Sequence, residues 1–485
     1  MSKPDPKTAP GMRNPLVVDL DGTLIRGDLL WEALAGLARE RPWLFLLLPI
    51  WLLGGRAHLK DRIARLHTPN AALLVYRPEV LELCRTAKES GRRLILASAS
   101  PRAWVDAVAA HVGVFDTVLA SDARRNLKGC EKLSAIREEI GPGPFTYVGD
   151  SKADAPIWED AEEAIGLGTG SAVTRILSGH PNSTIIEEES RPWALPALEA
   201  MRPRQWVKNI LVFVPLLLAH QLNDASRLQE TLLCFILFCL VASAGYLVND
   251  ILDLPSDRGH PSKCRRPIAS GQLQIPYAIG LVSVLLLTTL WISLAWLGPE
   301  VGLMLGVYVG LTFAYSFYLK QTLLLDVLVL AGLYTHRVLT GGLAADVLVS
   351  PWLLAFSAFF FLSLAFVKRY LELAHARNQG SRSIPRRAYE VGDLGLVEAM
   401  GLACGLISVL VLCLFISSAD VRLLYRTPGL LWLMCPVMFY WISRIWFLAR
   451  RGELDEDPVL FATRDPRSYV AGILALIIIA AAATW

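Results

Sequence analysis

Asp19 and Asp21, in the run Asp19-Leu20-Asp21-Gly22-Thr23, are two carboxylates held two residues apart behind the apolar stretch PLVVDL. That stretch reads as a buried strand, so both acids stand at a strand's carboxyl end, where ligand sites form in α/β sheets. One carboxylate can attack phosphorus to give an aspartyl phosphate. The other can protonate the leaving oxygen and then activate water. A second acidic run, Gly149-Asp150-Ser151-Lys152-Ala153-Asp154, again follows a strand-like stretch and offers the oxygen ligands that Mg²⁺ requires. Ser98, directly behind the apolar run 93–98, can hydrogen-bond a phosphate and is preferred over Ser100 for that position. Lys132 or Lys128 can neutralise the phosphate, with Lys132 preferred because it opens a helix-like stretch.

A different constellation lies at the end of an apolar stretch over 231–253: Asn249-Asp250-Ile251-Leu252-Asp253-Leu254-Pro255-Ser256-Asp257, continuing Arg258-Gly259-His260-Pro261-Ser262-Lys263-Cys264-Arg265-Arg266-Pro267. Acids within or beside a membrane helix are expensive and mark functional sites. Asn249, Asp250 and Asp253 share one helical face, and Pro255 is expected to end the helix, so that Asp257 sits in the turn. Three carboxylates and an amide suit Mg²⁺, which binds few protein oxygens together with substrate phosphates. Lys263, Arg266 and Arg258 then hold the remaining phosphate charge.

The elements that position these groups divide near residue 200. The chain has 485 residues, 54% hydrophobic and 19% charged, with a mean hydropathy of +0.43. That is too apolar for ordinary globular cores and excludes disorder. A net charge of +3 is too slight to argue for nucleic acid, and the eight cysteines have no C-x-x-C pair. Apolar runs at 15–20, 93–98, 117–120 and 145–149, separated by helix-like mixtures, predict an α/β domain with a parallel sheet over 15–195. A disordered tail is expected over 1–14, and a substrate-selecting cap insert over about 27–90. Within the insert, 42–53 (PWLFLLLPIWLL) is too short to span a bilayer. It is either a buried cap helix or a helix lying on the membrane or the bundle.

Beyond residue 200, nine apolar stretches, near 207–222, 231–253, 276–297, 299–319, 323–346, 351–371, 396–418, 428–449 and 468–485, predict an all-α membrane bundle. Nineteen Lys and Arg flank one side of these stretches, against Arg227, Arg422 and Arg426 on the other. By the positive-inside rule the α/β domain is cytoplasmic and the C-terminus lies outside, in an inner or plasma membrane. Near the cytoplasmic helix ends or within the bundle stand Lys320, Arg337, Lys368, Arg369, Arg386 and Arg387. They suit substrates with phosphate beyond what Mg²⁺ neutralises. Arg337 alternatively pairs with Asp326 or Asp346.

The order D-x-D-G-T, Ser, Lys and G-D-x-x-x-D resembles the haloacid dehalogenase superfamily of phosphohydrolases across roughly 15–185. The resemblance implies Asp19 as nucleophile and metal ligand, Asp21 as general acid/base, and Asp150 as metal ligand supported by Asp154. The form N-D-x-x-D-x-x-x-D resembles the first acidic motif of the UbiA superfamily of intramembrane prenyltransferases, across about 200–485. This implies a Mg²⁺-bound diphosphate donor and loss of diphosphate, with Asp250 and Asp253 central. Arg202-Pro203-Arg204-Gln205-Trp206-Val207-Lys208-Asn209, D-R-x-H-P-x-K-x-x-R-P and Leu364-Ala365-Phe366-Val367-Lys368-Arg369-Tyr370 look like the decaprenyl-phosphate phosphoribosyltransferase branch. That branch implies phosphoribosyl pyrophosphate as donor and a polyprenyl phosphate as acceptor. Asp326 is followed four residues later by Leu330, a departure from the second acidic motif of aromatic prenyltransferases. Prenyl transfer to an aromatic acceptor is the alternative within the family, and a transporter or anchor is the alternative outside it. A transporter needs polar groups near the midplane, whereas these acids sit at one membrane face.

Overall fold

The computed structural model describes residues 14–122, 125–168, 171–187, 192–384, 387–454 and 457–484. The tail expected over 1–14, apart from Asn14, and Arg386 lie outside the described residues. The chain forms two compact units: the residues up to Ala200 together with Leu247–Gly280, and Met201–Tyr246 together with Leu281–Trp485.

In the first unit six strands pair in parallel in the order β3-β2-β1-β4-β5-β6. They are β1 (Leu16–Asp19), β2 (Leu94–Pro101), β3 (Thr117–Ser121), β4 (Thr146–Gly149), β5 (Glu163–Leu167) and β6 (Ser183–Ile186). β1 to β4 are the four apolar runs expected from sequence, and β5 and β6 are additional. Alternation along each strand feeds two cores. Leu16, Val18, Leu94 and Leu96 pack on one face with Trp104 and Val105, while Val17, Ile95 and Tyr147 pack on the other with Ile157 and Trp158. β1 lies between β2 and β4, so the chain leaves it toward opposite edges of the sheet. Ligands in doubly wound sheets bind at such a switch point, beyond the strands' carboxyl ends. Between β1 and β2 lie the helices Leu29–Glu40, Leu48–Leu53, Arg56–Leu66 and Pro78–Glu89. The segment Pro42–Leu53 has no fully buried residue, which excludes the buried cap helix and leaves the exposed alternative.

Among the described residues seven helices are long and apolar enough to cross a membrane: Ala225–Leu252, Ile275–Phe317, Leu325–Ala344, Pro351–Asn378, Val391–Ser417, Pro428–Arg451 and Pro466–Ala483. The chain is a multi-pass membrane protein. Ile275–Phe317 has 43 residues, about twice what a bilayer needs. It breaks at Gly298, whose φ of +86° only glycine adopts readily, and so supplies two of the expected stretches. The stretch expected over 207–222 is instead a 3₁₀ helix, Pro203–Phe213, running into the short α-helix Val214–Leu218. Because a 3₁₀ helix rises about 2.0 Å per residue, these two together reach roughly 30 Å, the thickness of the hydrocarbon layer. In the second unit Ser363 donates to the Gly401 carbonyl at 2.7 Å and accepts from Trp446 at 3.1 Å. Gly401 has no Cβ to meet Phe366 or the Trp446 ring, so the helix Leu394–Ser417 approaches both Pro351–Asn378 and Met434–Arg451 closely.

Candidate active sites

β1 ends on Asp19, and β4 delivers Asp150 and Asp154 beside it. These three acids each offer an oxygen within 4.8 Å of the others, the one such group of acids among the described residues. Lys132, near the start of the helix Cys130–Ile140, donates to Asp19 Oδ1 at 2.8 Å and to the Tyr147 hydroxyl at 3.1 Å. Tyr147 in turn donates to Asp154 Oδ1 at 2.8 Å. Lys128 is exposed. Burial pushes the Asp19 carboxyl up to about 8, with Lys132 opposing and Asp154 and Asp150 reinforcing the rise. Burial and then Asp154 raise Asp150 to about 6. Burial alone would lower the Lys132 ammonium, but Asp19 and Asp154 outweigh it and hold it up. One lysine against three acids leaves excess negative charge in a buried space, and this donor set fits a divalent cation.

Asp21 stands outside that group of three, though its charge acts on Lys132. Its Oδ1 accepts from the Leu29 amide at 2.8 Å, and its Oδ2 accepts from Ser98 at 3.0 Å and Ser100 at 2.7 Å. Both serines therefore reach the same carboxylate. Gly22, at φ +81°, turns the chain between the two motifs, and a Cβ there would stand 2.8 Å from Asp150 Cγ. Thr23 donates to Asp150 Oδ1 at 3.3 Å.

The first acidic motif of the bundle belongs, from Leu247 onward, to the same unit. The helix Ala225–Leu252 ends one residue before Asp253, and the short helix Leu254–Arg258 starts with Pro255 in its first turn. Proline is tolerated in a first turn, where its missing N–H has no intrahelical partner. The break thus falls before Pro255, and Asp257 lies in a second helix where a turn was expected. Arg266 bridges the buried acids, donating to Asp257 Oδ2 at 2.6 Å and to Asp250 Oδ1 at 3.3 Å. Asn249 and Asp253 are half-buried, as is Lys263, which begins the turn Lys263–Arg265. Arg258 is engaged elsewhere. It donates to both oxygens of Glu32, at 3.0 and 2.7 Å, and to the Leu73 and Ala269 carbonyls. Both side chains of this pair are about nine-tenths buried.

In the second unit the expected cations fall into two groups. Arg369, fully buried, is paired with Asp326 at 3.0 Å and with Glu372, while Tyr389 donates to Asp326 at 2.7 Å. Arg387 donates to Tyr315 at 3.0 Å and to the carbonyl of the buried Lys320. The other group surrounds Arg337. It pairs with neither Asp326 nor Asp346 but donates to Asn209 Oδ1, the Tyr308 hydroxyl and the Leu333 carbonyl at 2.8, 2.6 and 2.7 Å. Lys208 is ion-paired with Asp457, to which the half-buried Lys368 couples electrostatically. Burial raises the Asp457 carboxyl, but Lys208 and Lys368 outweigh it and lower the group below the ordinary value. Arg202, at φ +54°, lies over the Tyr246 ring.

Sequence reasoning missed Tyr147, Glu32, Asp457 and Tyr389. Tyr147 carried a signal as the one large polar side chain in FTYVG, two residues before Gly149. Asp457 carried one as a carboxylate before Pro458, and its Oδ1 caps the helix Pro458–Ala462. Glu32 and Tyr389 are set by long-range pairing and have no local signature.

The model of the UbiA prenyltransferase family matches residues 210–482. That of haloacid dehalogenase-like hydrolases matches residues 16–159. An uncharacterized protein y4nM from Sinorhizobium fredii is 37% identical over 467 residues, 95% of this chain and 89% of that one. The nodulation protein NoeC of Azorhizobium caulinodans is 37% identical over 281 residues, 56% of this chain and 88% of its own. A decaprenyl-phosphate phosphoribosyltransferase of Mycolicibacterium smegmatis is 36% identical over 212 residues, 41% of this chain and 66% of its own.

Proposed function

The chain belongs to the UbiA prenyltransferase family and carries a haloacid dehalogenase-like hydrolase domain ahead of it, and from that premise we propose that it transfers phosphoribose from phosphoribosyl pyrophosphate to a polyprenyl phosphate. The hydrolase domain then removes the 5-phosphate of the product. The observation that carries the first part is the pairing of Asp326 with Arg369 and Tyr389. That pairing gives Asp326 a partner within the protein and supports a donor held by the first motif. A relative named for decaprenyl-phosphate phosphoribosyl transfer supports the same reading.

Asn249, Asp250, Asp253 and Asp257 would hold Mg²⁺ together with the donor diphosphate, and the ion supplies charge stabilisation to the leaving group. Arg266 bridges two buried acids of this motif, Asp250 and Asp257, which supports a site that gathers negative charge. Arg266, released from Asp250 or Asp257, and Lys263 neutralise diphosphate as the bond from ribose C1 to oxygen breaks. An oxygen of the lipid phosphate forms the new bond to C1. That oxygen is already ionised, so no strong base is required, and the chain contributes positioning and electrostatics. In the second unit Lys208 and Lys368 share Asp457, and Arg337 is held by neutral oxygens, so a phosphate suits them as counter-charge. Arg202 and Lys320 are assigned to the same anionic substrates.

In the hydrolase domain Asp19 is the nucleophile on phosphorus, Lys132 holds it in place, and Asp21, oriented by Ser98 and Ser100, protonates the leaving oxygen. Asp150 and Asp154 complete the Mg²⁺ site. Diphosphate release is measured with phosphoribosyl pyrophosphate plus polyprenyl phosphate, against prenyl diphosphate plus an aromatic acid. Release with the second pair alone overturns the phosphoribosyl reading in favour of prenyl transfer.

A further inference from the structure

Among the described residues between 14 and 192, seven large apolar side chains are exposed, and all seven fall within the twelve-residue segment 42–53. Trp43 is 58% exposed, Leu46 81%, Ile50 61% and Leu53 89%, with Phe45, Leu47 and Leu52 beside them. Leu48 and Trp51 turn inward against the cap core, which fixes the segment while its other face stays bare. A soluble domain rarely concentrates its exposed apolar surface in this way without a partner.

We infer that this segment seats in the lipid interface, and that the hydrolase domain takes a phosphomonoester held in the bilayer. This rests on the phosphatase reading for its second half only. Charge identifies the partner. No acid occurs from Arg41 to Lys60, between Glu40 and Asp61, and the exposed Arg41 and Arg56 flank the apolar face. Basic flanks around a Trp- and Leu-rich face are the pattern of an interfacial helix on anionic lipid. Another protein's apolar surface would give no reason for cations at both ends. The chain itself spans the membrane, so a lipid surface is always available to it.

The same element reaches the catalytic acids. Gly54 and Gly55 join the apolar segment to the helix Arg56–Leu66, whose Lys60 donates to the Ala99 carbonyl at 2.8 Å, between the two serines that hold Asp21. A cleft of about 300 Å³ lies beside that helix, lined by Lys60, Asp61, Arg65, Arg102, Asp122 and Asn126 among others.

The test uses the full chain in nanodiscs containing a diazirine-bearing anionic phospholipid, with labelled tryptic peptides mapped by mass spectrometry. The peptide over 40–56 should carry label, and Leu46→Glu with Leu53→Glu should remove it. A parallel assay compares hydrolysis of a prenyl monophosphate in the same bilayer with that of p-nitrophenyl phosphate in solution. The double variant should lose about tenfold or more on the first, as expected from two leucines no longer buried in lipid, and nothing on the second. An unlabelled 40–56 peptide overturns the inference, whether a second copy or another protein covers the face. Label that survives both glutamates does the same. Equal loss on the two esters overturns bilayer delivery. If the wild type hydrolyses neither ester, the phosphatase reading has failed, and the labelling still decides whether the segment enters lipid.

Discussion

Arg258 has two possible tasks, and its partner Glu32 separates them. In the structure the guanidinium forks onto both oxygens of Glu32, with each side chain about nine-tenths buried. Removing one member of such a pair strands the other charge, at a cost of roughly 3–5 kcal/mol, whereas removing both costs far less than the sum. The first unit is of a size for which 1 kcal/mol moves the melting temperature by about 2–4 °C. Glu32→Ala and Arg258→Ala should therefore each lower the transition by about 6 °C or more. The double variant should fall no further than the worse single, giving a coupling energy of at least about 2 kcal/mol. The assay is thermal unfolding in detergent, with diphosphate release measured on the same preparations at a temperature where all variants are folded. If Arg258 holds Glu32, both singles change stability together. If Arg258 instead grips donor phosphate, Arg258→Ala raises KM for the donor while Glu32→Ala leaves stability untouched. An unshifted Glu32→Ala transition refutes the latch.

Other outcomes follow from the two sites. Asp250→Asn and Asp253→Asn should abolish diphosphate release in protein that still inserts and folds, since charge is lost but little volume; more than about a tenth of wild-type rate in both would sink the metal clamp. Asp19→Asn should release diphosphate only and accumulate the phosphorylated ribosyl lipid, whereas wild type releases phosphate too; identical lipid products would separate the two activities. Gly22→Ala forces a Cβ against Asp150 at a positive φ and should cost phosphate release while sparing diphosphate release. Asp19 and Asp150, raised to about 8 and 6, must lose protons to bind Mg²⁺. Mg²⁺ affinity at the hydrolase site should therefore tighten as pH rises from 6 to 8, with protons released on binding in calorimetry. A flat profile would remove Asp19 from the ligand set.

Much of the hydrolase domain was legible because its information is local. β1 and β4 are short runs, β1 ending on Asp19 and β4 one residue before Asp150, so strand, end and acid occur within a few residues. β5 (EAIGL) and β6 (STII) were invisible for the converse reason. They are short, one carries glutamate and glycine, and β6 is an edge strand with little apolar pattern of its own. The pairing of β5 with β4 and of β6 with β5 supplies what their sequences lack. The exposed face of 42–53 was open between two readings because a short apolar run looks alike whether a protein core or a lipid surface receives it. The exposure of Leu46 and Leu53, with only Leu48 and Trp51 packed inward, contradicts the buried helix.

The bundle shows where residue type alone stops being informative. Arginines at 258, 266, 337 and 369 look equivalent in sequence, each a cation beside a membrane helix. Their partners make them four different things. Arg258 forks onto a distant glutamate, and Arg266 spans two acids of one motif and can exchange them for substrate charge. Arg369 neutralises Asp326, giving that residue a partner within the protein. Arg337 alone is held by neutral oxygens of Asn209, Tyr308 and Leu333. A guanidinium that has shed water without gaining a carboxylate keeps its full attraction for an anion. Of the four arginines, Arg337 is thus the one that the protein itself has left without an acid.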